Sequence, residues 1–186
     1  MAKENNGVNL QNIGELVSTV KGDSKFANAR FAAKSRWLGG TQTEVTITEI
    51  KAGGETITRS DRNFKLVVDE PPQLGGSDEH PNPVEYLAAG LCGCITAGIA
   101  TNAALFGTPL DGIEVEVEMD YDLRNVLGID RNGPGEVTEL RYKVRLSGTG
   151  AHENMIRSKE TIDKKSPVRN TLQLPIKVVR TDVVVE

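Results

Sequence analysis

Residues 82–107 read NPVEYLAAGLCGCITAGIATNAALFG, and this stretch decides the fold. Asn82 is a favourable helix N-cap, Pro83 suits the first helical position, and Glu85 completes a capping-box pattern. Gly107 predicts the helix end, because glycine readily adopts the left-handed conformation that closes many helices. The pattern therefore predicts one long helix between these signals.

The predicted helix is apolar on every face, which is typical of a buried helix. Its central part carries both cysteines of the chain, Cys92 and Cys94. The run 87–106 is just long enough to span a bilayer, but polar residues such as Thr96 interrupt it and amphipathic strands follow. We therefore expect a buried core helix and no membrane association.

The composition of the chain excludes several classes of protein. Its 186 residues are enough for one domain with a real core, and a net charge of -4 argues against nucleic-acid binding. Two cysteines at positions i and i+2 of a helix point about 200° apart, so they are expected to be free thiols rather than a disulfide. Met1–Gly7 is polar and lacks the apolar segment of a signal peptide. We expect a soluble cytoplasmic protein.

The rest of the chain predicts strands and two further helices, an α+β fold with helices on one face of antiparallel sheets. Helical spacing of apolar residues is found at 9–21 and 151–164. Strands are predicted at 26–37, around Val45 and Ile47, and at 64–68, 112–123, 140–146 and 172–178. Glycine pairs at 39–40 and 53–54 predict turns, and Pro175 places the last strand at an edge or a bulge.

The strands at 112–123 and 140–146 carry opposite charges on their outward faces. Residues 114, 116, 118 and 120 are acidic, whereas residues 141, 143 and 145 are basic. If the two strands pair antiparallel, these stripes form cross-strand ion pairs. This arrangement favours a solvated sheet face over a cation site.

Several motifs together resemble the OsmC/Ohr superfamily of thiol-dependent hydroperoxide reductases. The shared residues are Leu74-Gly75-Gly76, Asn82-Pro83, Glu85 and Cys94, with Arg36-Trp37-Leu38-Gly39-Gly40 upstream and Ser166-Pro167-Val168-Arg169-Asn170-Thr171-Leu172 downstream. The resemblance covers residues 26–185. We therefore expect an N-terminal accessory helix at 1–25 and an OsmC-like domain at 26–186.

The resemblance implies an intertwined homodimer with a long buried central helix and a site at each subunit junction. It also implies that Cys94 is the peroxidatic thiol, and that an Arg and a Glu hold the thiolate and orient the peroxide. Glu85 and Arg36 are the candidates here for those two roles, and Arg169 is a second candidate for the cation. No metal or cofactor is implied.

The chain departs from the family pattern at three positions. Ser166 stands where the second family cysteine is expected, Val84 where the glutamate is expected, and Thr41 near the place of the arginine. Glu85 lies one step after the expected glutamate and is also a natural helix cap. Cys92 is a core cysteine or, alternatively, a replacement resolving thiol.

Two functions remain open at this point. In the first, Cys94 reduces organic hydroperoxides and an external thiol replaces the missing resolving cysteine. In the second, the protein is a catalytically degraded OsmC-fold dimer that binds a small apolar ligand. Acyl transfer by Cys94 is a weaker alternative, since no histidine is placed as its base. The first function requires a cation near the thiol, because the thiolate is the nucleophile.

Overall fold

The structure, a computed structural model, describes residues 4–174 and 178. The chain divides into two compact units, an N-terminal unit of residues 9–88 and a C-terminal unit of residues 89 onward together with those before residue 9. Helices and antiparallel strands are both abundant. The predicted α+β class is confirmed.

The N-terminal unit contains helix α1, the first turns of the long helix that follows, and two antiparallel three-stranded sheets. The sheet orders are β1-β4-β5 and β2-β3-β6. The elements are α1 (Leu10–Gly22), β1 (Ala29–Phe31), β2 (Lys34–Gly39), β3 (Gln42–Ile47), β4 (Ile50–Ala52), β5 (Glu55–Thr56) and β6 (Phe64–Val68).

The sequence predicts a single strand at 26–37, and this prediction is wrong. The chain forms a 3-10 turn at Ser24–Ala27 and then β1 and β2, which belong to different sheets. The predicted turns are confirmed, since Gly39, Gly40, Gly53 and Gly54 all have positive φ. These turns direct neighbouring strands into antiparallel pairs.

Helix α1 begins where the sequence predicts. The side chain of Asn9 accepts a hydrogen bond from the Asn12 backbone and caps it. Its apolar residues Leu16 and Val17 are 49% and 47% exposed, so the apolar side of α1 is only partly covered within the chain. Before it, the Asn6 side chain donates to the Thr108 backbone carbonyl at 3.0 Å, within the C-terminal unit. The assignment of residues 1–25 to an accessory segment stays a prediction.

The long helix α2 spans Pro83–Leu105 and begins with the predicted capping box. Glu85 N donates to Asn82 Oδ1 at 2.9 Å, and Asn82 N donates to Glu85 Oε2 at 2.8 Å. Gly107 follows the helix with φ 62°. Both predicted ends are therefore confirmed.

Burial of α2 within the chain is limited to one stripe. Leu91, Ile95, Ile99 and Ala103 have no exposed surface, whereas Leu87 is 40% exposed. Burial of each large aliphatic side chain in this stripe contributes about 1.5–3 kcal/mol. The sequence predicts that every face of α2 is buried. Within the single chain, only one face is fully buried.

In the C-terminal unit, a β-hairpin and two helices surround the buried stripe of α2. The elements are β7 (Gly112–Tyr121), α3 (Leu123–Val126), β8 (Val137–Ser147), α4 (His152–Lys165) and α5 (Pro167–Gln173). Met155 and Ile162 of α4 join the stripe, and the inward residues of β7 and β8 pack against it.

The charged stripes of the hairpin pair as predicted. Glu114 lies opposite Arg145 and Glu118 lies opposite Arg141 in the antiparallel register. Arg141 is 3.3 Å from Glu118, and Arg145 is 3.4 Å from Glu114. All four side chains are largely exposed, which is the solvated face that the sequence favours.

The last predicted strand, 172–178, is wrong where the structure describes it. Leu172 lies in α5, which begins with Ser166 as N-cap and Pro167 at the first helical position. The Ser-Pro pair ends one helix and starts another, so the chain stays helical beyond it. The remainder of that prediction, apart from Val178, lies outside the described residues.

One helix in the described residues, α2, is long and apolar enough to cross a membrane by length and composition. The core helix of a soluble protein passes the same test. The buried stripe of α2 lies in the apolar core of the C-terminal unit.

Candidate functional site

The candidate site is centred on Cys94, in the middle of α2. Its Sγ lies 3.1 Å from the Oγ of Ser166, and the thiol is only half-buried. Ser166 is fully buried, between α4 and α5. The structure therefore places a hydroxyl beside the thiol, at the position where the resemblance predicts a second cysteine.

The Ser166 hydroxyl has a second partner that orients it. Its oxygen accepts a hydrogen bond from the Arg169 backbone N–H at 3.2 Å, as the N-cap of α5. A hydroxyl that accepts from one side still has one proton to donate. In this geometry that proton can be directed at Cys94 Sγ, which stabilises a thiolate.

Cys92 lies on a different side of the helix from Cys94. Its Sγ contacts the backbone carbonyl of Val115 on β7 at 3.5 Å. Both cysteines are free thiols. The contact of Cys92 with β7 matches the expectation of a core cysteine, here packed against the hairpin.

The Arg169 guanidinium is engaged away from Cys94. Its Nε donates to Tyr142 Oη at 3.2 Å, and its NH1 donates to the Asp163 backbone carbonyl at 2.8 Å and to the Gln173 side chain at 2.9 Å. Arg169 thus contributes its backbone N–H to the site through Ser166, and its charge to a neighbouring polar cluster.

That polar cluster consists of Tyr142, Lys159, Asp163 and Arg169, and we call it the Tyr142 cluster. Tyr142 Oη donates to Asp163 Oδ1 at 2.7 Å, while Lys159 binds the other carboxylate oxygen. Burial, followed by the adjacent Asp163 carboxylate, raises the pKa of Tyr142 above its ordinary value of 10.0. The hydroxyl therefore remains protonated, and a donor to Asp163, at neutral pH.

The Tyr142 cluster is not among the residues that the sequence predicts for the site, although two signals in the sequence indicate it. Tyr142 is the one residue with a polar tip in the inward-facing row of β8 between Leu140 and Val144. Lys159 and Asp163 have the i, i+4 spacing that places opposite charges together on one helix face.

Arg36 and Glu85 belong to the N-terminal unit. Arg36 lies on β2 with its side chain 70% exposed, 3.4 Å from Glu44. Hydrogen bonds from Lys65 and, to a smaller extent, from Arg36 lower the pKa of Glu44. Arg36 also lines an open groove of about 390 Å³ along β2 and β3. Glu85 is occupied by its capping role in the first turn of α2.

A second polar cluster of the N-terminal unit surrounds Asp69, which is fully buried. Thr41 Oγ1 and Ser77 Oγ each donate to its carboxylate at 2.6 Å. The Ser77 backbone N–H adds a third bond at 3.2 Å. All of these partners lie in turns and the 69–81 loop, so Asp69 holds that loop to the end of the β2–β3 turn.

In residues 4–174 and 178, no three His, Cys, Asp or Glu side chains are grouped as ligands for a metal ion. The groups that meet at the candidate site are the Cys94 thiol and the Ser166 hydroxyl.

Comparison with known proteins agrees with this fold. A family model described as OsmC-like protein matches residues 76–180, more than half of the chain. No curated protein matches.

Several solved structures share the fold at low sequence identity. An OsmC-like protein from Mycoplasma pneumoniae is 14% identical, with a TM-score of 0.58 over 77% of this chain and 87% of that chain. A putative osmotic stress induced and detoxification response protein from Psychrobacter arcticus is 16% identical, with a TM-score of 0.56 over 75% of this chain and 85% of that one.

A third structure is that of an organic hydroperoxide resistance protein OsmC from Legionella pneumophila. It is 20% identical, with a TM-score of 0.52 over 77% of this chain and 89% of that chain. The family match includes α2, Cys94 and Ser166. The chain therefore belongs to the OsmC-like protein family.

Proposed function

We propose that this protein reduces organic hydroperoxides in the cytoplasm, with Cys94 as its single peroxidatic thiol and an external thiol as reductant. The observation that carries this proposal is the 3.1 Å contact between Cys94 Sγ and Ser166 Oγ. In the proposed reaction the hydroxyl donates this hydrogen bond, because a thiolate can only accept one. Ser166 also stands where the resemblance implies the second family cysteine.

The proposed first step oxidises Cys94 and reduces the peroxide. The thiolate attacks one oxygen of the O–O bond, so that an S–O bond forms as the O–O bond breaks. The leaving alkoxide takes up a proton and departs as the alcohol. Cys94 is left as a sulfenic acid, beside the Ser166 hydroxyl.

The proposed second step needs a thiol from outside the chain. Ser166 cannot form a disulfide, and the Cys92 thiol contacts Val115 instead of facing Cys94. An external thiol condenses with the sulfenic acid, releasing water and leaving a mixed disulfide. A second external thiol then displaces Cys94 as the free thiol and carries away the external disulfide.

The proposed active form is a homodimer. Members of the family act as oligomers, and the resemblance implies an intertwined dimer with junctional sites. Arg36 is largely exposed and has one long contact with Glu44, so its guanidinium is free to turn toward a second copy. We assign Arg36 as the cation for the thiolate within this dimer. Glu85 orients the peroxide through Oε1, the carboxylate oxygen that the capping box does not use.

The decisive experiment measures consumption of tert-butyl hydroperoxide with dithiothreitol as reductant. We expect Cys94→Ser to reduce the rate to that of the uncatalysed reaction and Cys92→Ser to retain it. Cys92→Ser is the matched control, because it removes an equally half-buried thiol from the same helix. Equal rates for wild type and Cys94→Ser would exclude the peroxidase, and binding of a small apolar ligand would then be the function to test.

Restoring the second thiol provides an independent check of the two-step scheme. Ser166→Cys places a sulfur next to Cys94, and a disulfide bond then needs the two sulfur atoms to approach to about 2 Å. One equivalent of hydroperoxide should yield an internal disulfide, seen as a mass lower by two hydrogens and a loss of titratable thiols. Retention of both free thiols after peroxide consumption would contradict the assigned placement.

A further inference from the structure

The Tyr142 cluster is connected to the candidate site through a single residue. Arg169 belongs to both groups: its guanidinium lies in the cluster, and its backbone N–H donates to Ser166 Oγ at 3.2 Å. Arg169 is in the first turn of α5, directly after the Ser166 cap. Any force that holds the Arg169 side chain therefore also holds the turn that orients the Ser166 hydroxyl.

Three hydrogen bonds fix the Arg169 side chain, and they come from different elements. Tyr142 lies on β8, the Asp163 carbonyl belongs to α4, and Gln173 lies at the end of α5. The bond to Tyr142 is the one that ties α5 to the hairpin. The Tyr142 hydroxyl in turn donates to Asp163 Oδ1. Lys159 forms an ion pair with the other oxygen of that carboxylate.

We propose that Tyr142 is a positioning residue for Cys94: through Arg169 it fixes the start of α5, so that the Ser166 hydroxyl donates its proton to the Cys94 sulfur. The catalytic consequence rests on the proposed peroxidase function. The effect on thiol reactivity does not, because it follows from the hydrogen bonds alone. Tyr142 touches neither the thiol nor a substrate in this scheme, and it acts through Arg169 and Ser166.

The direction of the effect follows from the role of each atom. While the Arg169 N–H occupies a lone pair of Ser166 Oγ, the hydroxyl proton is free to point to Cys94. Donation to the sulfur favours the thiolate over the thiol. Without the Tyr142 hydroxyl, Arg169 Nε loses its acceptor, and the turn that presents Ser166 becomes less firmly held.

The test uses the alkylation rate of Cys94 by iodoacetamide across a range of pH, in a Cys92→Ser background so that one thiol reports. Tyr142→Phe keeps the ring but removes the hydroxyl. We expect it to lower the alkylation rate at neutral pH by roughly threefold to tenfold and to move the midpoint of the pH profile upward. Tyr121→Phe is the matched control, since that hydroxyl bonds the Gly135 carbonyl in the β7–β8 connection, and it should leave the profile unchanged.

A double variant separates positioning from general loosening of the fold. Ser166→Ala alone should slow alkylation in the same way, and adding Tyr142→Phe to it should then change nothing further. The proposal is overturned if Tyr142→Phe leaves the profile unmoved, or if its effect persists in full without the Ser166 hydroxyl. Arg169→Lys, which keeps the backbone N–H and the charge but loses the planar fork, should reproduce the Tyr142→Phe shift.

Hydroperoxide turnover, measured on the same variants, distinguishes the two proposals. If Tyr142→Phe shifts the alkylation profile but the wild type does not turn over hydroperoxide, the positioning role is supported and the peroxidase function is excluded. If turnover requires Cys94 but is the same in Tyr142→Phe, and the alkylation profile of that variant is unchanged, the peroxidase function is supported and the positioning role is excluded.

Discussion

Asp69 is a fully buried carboxylate whose surroundings consist of hydrogen-bond donors. Hydroxyl groups of Ser77 and Thr41 hold the pKa of Asp69 well below its ordinary value of 3.8. A folded-state pKa below the unfolded value means that ionised Asp69 stabilises the fold above about pH 4. The contribution decreases as the pH falls through and below that value.

We predict that Asp69→Asn lowers the midpoint of thermal unfolding by roughly 5 °C at neutral pH. The amide cannot accept all the hydrogen bonds of the carboxylate, and its NH2 group then faces donors such as the Ser77 hydroxyl. Thermal unfolding followed by circular dichroism between about pH 3 and pH 7 measures this midpoint. The difference in midpoint between Asp69→Asn and wild type should become smaller below about pH 4.

Asp61→Asn is the control for this prediction, because Asp61 is 75% exposed and only paired with Arg59 on the surface. Its melting midpoint should stay within about 1 °C of the wild-type value. A difference between Asp69→Asn and wild type that is unchanged at acid pH would show that the carboxylate charge is not what stabilises the 69–81 loop.

At the scale of the element, α2 and α4 approach closely because of a single glycine. A Cβ at Gly98 would lie 2.1 Å from Ile162 Cγ1 and 3.0 Å from its Cβ. Ile162 is buried, so the clash cannot be relieved by turning the side chain into solvent. The glycine is therefore required by packing, although it weakens the helix by about 1 kcal/mol relative to alanine.

Gly98→Ala should consequently lower the free energy of unfolding by about 1–3 kcal/mol, in spite of its better helix propensity. Urea denaturation followed by circular dichroism measures it. Gly14→Ala on α1 is the matched control, since a Cβ there meets nothing within 4 Å. It should raise the free energy of unfolding by up to about 1 kcal/mol. The same sign for both variants would contradict the packing argument.

Elements with strong local signals could be predicted from the sequence. The capping box of Asn82 and Glu85 fixes the start of α2, and the period-two pattern from residue 112 defines the charged hairpin. Short strands such as β4 and β5 were missed, because three or two residues carry no measurable periodicity. The alternation from Leu172 onward predicts a strand, but a pattern of only a few residues does not exclude a helix, and Leu172 lies in α5.

The candidate site could be predicted only in part, for a physical reason. Cys94 and Ser166 were both identified from motifs, but no sequence rule indicates that their side chains touch across 72 positions. The Arg169 side chain was expected to approach the thiol, and its hydrogen bonds go to Tyr142 and Gln173 instead. Long-range side-chain partners depend on tertiary packing, which local patterns do not encode.

At the scale of the whole molecule, large apolar side chains are exposed in both units among the described residues. Trp37 on β2 and Phe31 on β1 are 72% and 74% exposed, and Ile129, in the connection between α3 and β8, is 71% exposed. Exposed apolar side chains on a monomer are ordinary when they are scattered singly, and they indicate an interface when they form a contiguous patch. The face of α2 away from its buried stripe is also open, at Gly90, Gly93 and Ala97.

We predict from this surface, and from the oligomeric nature of the family, that the protein is a homodimer whose contact includes the open face of α2. A side chain at Gly93 meets nothing within 4 Å in the single chain, so Gly93→Leu should be tolerated by the monomer. It should nevertheless weaken a dimer in which another backbone approaches that face. Light scattering coupled to gel filtration should give twice the chain mass for wild type and the chain mass for Gly93→Leu, with unchanged far-ultraviolet circular dichroism. If Gly93→Leu remains dimeric, the second copy covers a different surface, and the exposed Trp37 region becomes the place where the contact must be sought.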